Sequence, residues 1–174
     1  MPTLVVTQAQ VDAHIQRNPN DRKIEKFTGA PRTPNFTSIE DGLFFRFLDP
    51  DKHQVLEKEI QGQWYQYCVV QTYDPATQEM DIRDFFPTST GKIAMVIQDD
   101  GSKKKHTAGG DAAKMLYNAP NYNVGIDNCR DHCKKNDVWI KVSLTTHQKC
   151  ATKFGENGVG PVTLGQFTFE KLPS

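Results

Sequence analysis

Alternation of large apolar and polar residues dominates the chain from about residue 39 onward. In an extended chain successive side chains point to opposite faces, so this period of two marks strands. The clearest run is QWYQYCVVQTY, residues 63–73. Trp64, Gln66, Cys68 and Val70 fall on one face of it, and Tyr65, Tyr67, Val69 and Gln71 on the other. Upstream, GLFFRFL predicts a strand within 39–48, ended by the turn Asp49-Pro50-Asp51. Downstream, Asp74-Pro75-Ala76-Thr77 turns the chain into a hairpin partner over 79–86. Further strands are predicted at 92–98, 138–146 and 162–170. The segment VLEKEI within 54–60 fits either a strand or one helical turn.

Helical spacing appears in three places. Thr7 can cap a short helix running to about Arg17, with Val11, His14 and Ile15 on one face. Ala112, Ala113, Met115 and Leu116 mark a helix over 111–118, stopped by Pro120. Val124, Ile126, Cys129 and Cys133 mark another over 123–135. Between residue 17 and the first strand lie Pro19, Pro31 and Pro34. Residues 1–36 therefore read as a helix and an arm, and residues 37–174 as one β domain.

The expected fold is mainly β with two helices in the β domain. The order of three strands, a helical insert and two strands is that of an oligonucleotide-binding (OB) barrel. We expect a five-stranded antiparallel barrel from segments 39–48, 63–73, 79–86, 138–146 and 162–170, with the helices between the third and fourth strands. A jelly-roll sandwich accommodates the helical insert less well.

Composition refines this picture. A chain of 174 residues can build one domain with its own core. Net charge is zero but unevenly spread. Residues 1–100 hold 10 Lys and Arg against 15 Asp and Glu, and residues 101–174 hold 11 against 6. Such a dipolar chain can turn its basic side toward a polyanion, although charge also fluctuates along any sequence. No apolar run approaches the roughly 20 residues of a membrane helix. MPTLVVTQAQ lacks a basic run before its apolar stretch, unlike a secretory signal. A cytoplasmic protein with reduced thiols is expected.

The second half runs from TAGGDAAKMLYN through VGIDNCRDHCKKND to VWIKVSLTTHQKCATKFG and ends in GQFTFE. A helix closes in a short polar turn and feeds a strand, a basic glycine-containing hairpin follows, and the last strand ends in alternating aromatics. This layout, over about residues 105–170, resembles single-stranded-DNA-binding barrel proteins of phages and mobile elements. The resemblance implies a non-catalytic protein that holds single-stranded DNA or RNA during replication or recombination. Self-association and contacts with replication proteins are further implications.

Holding a single strand requires cations for the backbone and flat aromatic faces for the bases. The candidates are Trp64, Tyr65 and Tyr67 on the second expected strand, and Arg83 and Phe86 on the third. Trp139 and Lys141 lie on the fourth, and Lys149, Lys153 and Phe154 in the last hairpin. Lys103, Lys104 and Lys105 sit in an expected loop, where a solvated loop tip is the plainer reading. On an alternating strand half of the aromatics belong to the core, so one of Trp64 and Tyr65 is expected inside.

Other chemistry finds little footing. Cys129 and Cys133, with His147 and Cys150, could be read as a zinc set. Their four-residue spacing on a helix instead marks small buried hydrophobes, and C-x-x-C is absent. None of the five histidines stands in a nucleophile motif. Asp81 and Asp84 fall on opposite faces of their strand. No enzyme activity, metal or cofactor is expected. The competing reading is a structural or virion-assembly protein on a β-sandwich, with residues 1–36 reaching a neighbour.

Overall fold

The computed structural model describes residues 6–28, 40–86, 93–97, 99–107, 111–147, 150–151, 157–159 and 162–173. Over these, three helices and eleven strands follow one another. They are α1 (Gln8–Gln16), β1 (Arg22–Ile24), β2 (Phe44–Phe47), β3 (Val55–Ile60), β4 (Gln63–Asp74) and β5 (Glu79–Phe85). Then come β6 (Ile93–Ile97), β7 (Lys103–Thr107), α2 (Asp111–Tyr117), α3 (Tyr122–Asn136) and β8 (Trp139–His147). The last are β9 (Cys150–Ala151), β10 (Asn157–Val159) and β11 (Val162–Glu170).

The protein is mainly β, organised on an open antiparallel sheet of seven strands. The long strand β4 is its axis. On one edge β4 pairs with β5, from Cys68 opposite Phe85 to Asp74 opposite Glu79. Its other edge is shared by β2 and β3, which lie end to end. Phe47 pairs with Val70 and Val55 with Cys68, so residues 48–54 loop out of the sheet while β4 advances two positions. The ambiguous segment over 54–60 is thus a strand. Gln61 and Gly62, both at positive φ, join β3 to β4 in a two-residue turn. That geometry matches the right-handed twist of the paired strands.

Across the helical insert the chain returns as β8 beside β2, with Phe45 opposite Ile140. β11 then pairs with β8 over its whole length. The order β5-β4-β2-β8-β11 is a Greek-key arrangement, in which three consecutive strands are joined by a fourth that returns beside the first. The expected closed five-stranded barrel is not what forms. Among the described pairings β5 meets only β4, and β11 only β8, so the sheet stays open. Instead of rolling shut it broadens at its other end, where β1 pairs with β3.

A second correction concerns residues 93–107. Ile93–Ile97 leaves the main sheet and pairs with β7 on one side and β9 on the other, making a four-stranded sheet in the order β10-β9-β6-β7. Lys103, Lys104 and Lys105 are therefore strand residues, not a loop tip. The twist of Asp99-Asp100-Gly101, with Gly101 at positive φ, turns β6 back on β7.

Each face of the main sheet buries its own cluster. Phe45, Phe47, Cys68, Val70, Phe85, Ile140, Val142 and Phe167 pack against Leu116, Ile126, Cys129 and Cys133 of α2 and α3. We call this the helix face. The two helices approach so closely that a Cβ on Gly125 would lie 2.5 Å from the Leu116 carbonyl oxygen, which only glycine allows. On the opposite face Leu56, Tyr65, Tyr67, Val69, Ile82 and Phe86 pack beneath Val6, Val11 and Ile15 of the N-terminal arm. Residues 6–28 are thus docked on the sheet, and Phe27 reaches round to the helix face, bracketed by two hydrogen bonds with Asn123.

Candidate nucleic-acid interface

Strand alternation sorts the candidate aromatics as the sequence pattern requires, but α1 changes their surroundings. Tyr65, Tyr67 and Phe86 are all buried on the arm face. Tyr67 stacks on Phe86 with ring centroids 5.1 Å apart. Its hydroxyl donates to Asp21 at 2.5 Å, and burial together with that carboxylate pushes its ionisation well above the usual tyrosine range. Trp139 is buried in a third cluster with Phe44, Tyr73 and Leu172. Of the pair Trp64 and Tyr65, the tyrosine is inside and Trp64 is half-buried. The Arg22 guanidinium lies 3.6 Å above the Trp64 ring, the distance of a close cation–π contact.

The candidate cations divide into two groups. Arg83 pairs with Glu40 at 3.1 Å, and Lys141 lies over the Phe44 ring at 5.9 Å. Both are half-buried on the main sheet. Lys103 is exposed on β7, and Lys104 and Lys105 follow it on that strand. Lys149, Lys153 and Phe154 lie outside the described residues. The short strand β9 falls between the two lysines in sequence and pairs with β6, which pairs in turn with β7. The described strand β9 is thereby joined to β7 through one small sheet, although more than forty residues separate them in sequence.

Sequence reading missed a set of arginine and lysine contacts to rings. Besides Arg22 over Trp64, Arg46 lies 4.6 Å from the Trp139 ring and Lys58 5.6 Å from the Tyr67 ring. Arg46 also donates from Nε to the Val138 carbonyl at 2.9 Å. One local signal existed for Arg46: it is the sole charged residue within the apolar strand GLFFRFL. Nothing local foretold Arg22, because its ring partner on β4 is forty-two positions away and reached through the pairing of β1 with β3 and of β3 with β4.

The cysteines on α3 are buried as their spacing suggested. Desolvation pushes the thiol of Cys129 up to about 12 and that of Cys133 up to about 11, so neither carries reactive thiolate at neutral pH. Cys68 is raised further by complete burial. Among the described residues no group of three or more His, Cys, Asp and Glu side chains is placed to hold a metal ion. The side chains of His147 and Cys150 lie outside that description. Among the described residues no helix is long and apolar enough to cross a membrane. Scans against protein-family models, curated proteins and solved structures return no match.

Proposed function

We propose that this protein binds single-stranded nucleic acid, most readily single-stranded DNA, and does no chemistry on it. The observation that carries the reading is topological. Taken as first to fifth, the segments β2, β4, β5, β8 and β11 stand in Greek-key order, with α2 and α3 inserted between the third and fourth. A five-stranded, partly open Greek-key barrel is the OB scaffold. In that scaffold the loop after the fourth strand helps to grip the oligonucleotide. Here the corresponding stretch supplies β9 and β10 to the sheet that also carries Lys103, Lys104 and Lys105.

The backbone of the nucleic acid then tracks the small sheet, with Lys103, Lys104 and Lys105 of β7 as its cations, and Lys149 and Lys153, which flank β9 in sequence, as further candidates. The rings beneath α1 are occupied by apolar side chains of the arm, so base stacking contributes less than in a bare-faced barrel. Binding should accordingly be strongly salt-dependent. Each phosphate neutralised on a single strand contributes roughly −0.7 to the slope of log affinity against log salt. Titration of tryptophan fluorescence or anisotropy with a 20-nucleotide strand (about 20, several footprints of one barrel), at two salt concentrations, tests this. Replacing Lys103, Lys104 and Lys105 together by Ala should flatten the slope by about 2. Absence of binding at low salt, or equal competition by duplex, overturns the proposal.

A further inference from the structure

Where β2 ends, the loop over 48–54 leaves the sheet and the C-terminal half of α3 crosses beside it. A cleft of about 140 Å³ opens between them. Four cationic side chains line it, Arg46, Lys52, Arg130 and Lys134, against a single carboxylate, Asp49. We infer that this cleft is a binding site for a tetrahedral oxyanion of the phosphate class, independent of the basic strand β7. A pocket that accepts a drug-sized ligand spans some 300–1,000 Å³. This one has room for the anionic group alone.

Two buried side chains point to a ligand. The first is Gln71, which lines the cleft and whose amide nitrogen is buried with no hydrogen-bond partner. Register places Gln71 directly opposite Arg46, so both project from the same face of the sheet. A buried donor without an acceptor is costly, and polar groups inside folded proteins are nearly always satisfied. An oxyanion oxygen in the cleft would satisfy it. The second is Arg130, only 7% exposed. It donates to the Leu48 carbonyl at 3.2 Å and bonds to Asp127. A guanidinium carries five N–H donors, and these two contacts leave others for an anion.

The carboxylates that accompany these cations lie outward. The side chains of Asp137, Asp51 and Asp127, which pair with Arg46, Lys52 and Arg130, are 84%, 73% and 58% exposed. Ion pairs of that kind are worth little, because water and salt screen them. They hold the cations in place without quenching the field inside the cleft. Asp49 is the exception, and its bond to Lys134 holds its carboxyl below the usual range. Lys134 therefore serves as the counter-ion of Asp49, leaving Arg46, Lys52 and Arg130 for the ligand.

The phosphate group has two possible sources: a free small phosphate, or the terminal phosphate of a nucleic-acid strand. The experiment uses the full chain and inorganic phosphate as probe, with thermal unfolding and calorimetry at constant ionic strength against chloride. Phosphate should raise the unfolding temperature of the native protein and show saturable binding. Gln71→Leu removes the unpartnered amide and leaves the fold at least as stable, and it should weaken phosphate about tenfold, as loss of a hydrogen bond to a charged group does. Lys52→Ala, on the excursion loop, should weaken it comparably while the protein still unfolds cooperatively. A second arm compares a short oligonucleotide bearing a 5′-phosphate with its 5′-hydroxyl form, with Lys103, Lys104 and Lys105 already replaced by Ala. Preference for the phosphorylated end, lost in Gln71→Leu, assigns the strand terminus as the source. Saturable inorganic phosphate without that preference assigns a free phosphate. The inference is overturned if phosphate acts no differently from chloride and the two oligonucleotides bind alike, or if Gln71→Leu and Lys52→Ala bind phosphate as the native chain does.

Discussion

The two faces of the main sheet are both covered, yet by different physics. On the helix face, α2 and α3 close over a large cluster of buried residues in which Phe45 touches Phe47, Phe85 and Phe167 at centroid distances of 5.3–5.8 Å. On the arm face, a single helix of nine residues covers a smaller cluster. There the attachment leans on polar clasps: His14 to Asp84 at 2.8 Å, Tyr67 to Asp21, and Lys58 to Asp21 at 3.0 Å. Apolar burial scales with area and carries a fold, whereas a few hydrogen bonds each contribute about 1 kcal/mol and can be exchanged for water. The helix face is the part without which the sheet does not stand. The arm face is one that could be uncovered while the rest persists.

The largest expected effect tests that ranking directly. Phe45→Ala should cost about 3–5 kcal/mol in urea unfolding, the range for emptying a buried aromatic site. Val11→Ala, at a position equally buried, should cost only about 2 kcal/mol and act on the arm before the sheet. Equal losses, in a single transition, would dissolve the distinction between the faces.

Acid should attack the helix side. Burial, and then the charge of Arg130 on α3, depress His53 to about 4. The folded protein therefore keeps this imidazole neutral while the unfolded chain takes up a proton near its ordinary value of 6.5. Stability is full above about pH 6.5 and falls between there and about pH 4, by up to about 3 kcal/mol for this group. Urea midpoints measured across that window should drop in the native chain and drop less in His53→Gln. An unchanged midpoint would show that His53 is solvated in the folded state.

The smallest effect is the most selective. Tyr67→Phe removes the hydroxyl that donates to Asp21 and should cost about 1.5 kcal/mol, as for a hydrogen bond to a charged acceptor. Amide exchange should quicken in α1 and β1 and stay unchanged in α3. Equal quickening in α1, β1 and α3 would mean that the arm opens only with the whole fold.

Much of the sheet was legible because alternation is a local signal. The run over 63–73 has large residues on both parities, and the strand it predicts is β4 with both faces buried. Helices α1 and α3 were legible for the same reason: Thr7 forms a capping box with Gln10, and Ile126, Cys129 and Cys133 fall on one stripe. The strand character of 55–60 could not be decided locally, since apolar residues at both ends and charges between them suit either period. Pairing of Val55–Ile60 with β4 decided it. Of the candidate site, the cations on β7 were visible as charge but not as part of a sheet, because the strands that complete that sheet beyond the β6–β7 hairpin, β9 and β10, lie up to 56 residues away at Val159.

By itself, then, the sequence determined the longer strands and helices and which residues share a side of each, because those follow from spacing along one chain, but not β1, β3 or β7, whose strand character rests on pairing. It could not determine what lies over each side. That Tyr65, Tyr67 and Phe86 sit beneath the arm, that the sheet stays open, and that Gln71 and Arg130 face one cleft all depend on contacts between residues tens of positions apart. Such contacts are settled by which long-range pairings bury the most apolar surface together, a property of the assembled chain that no local window contains.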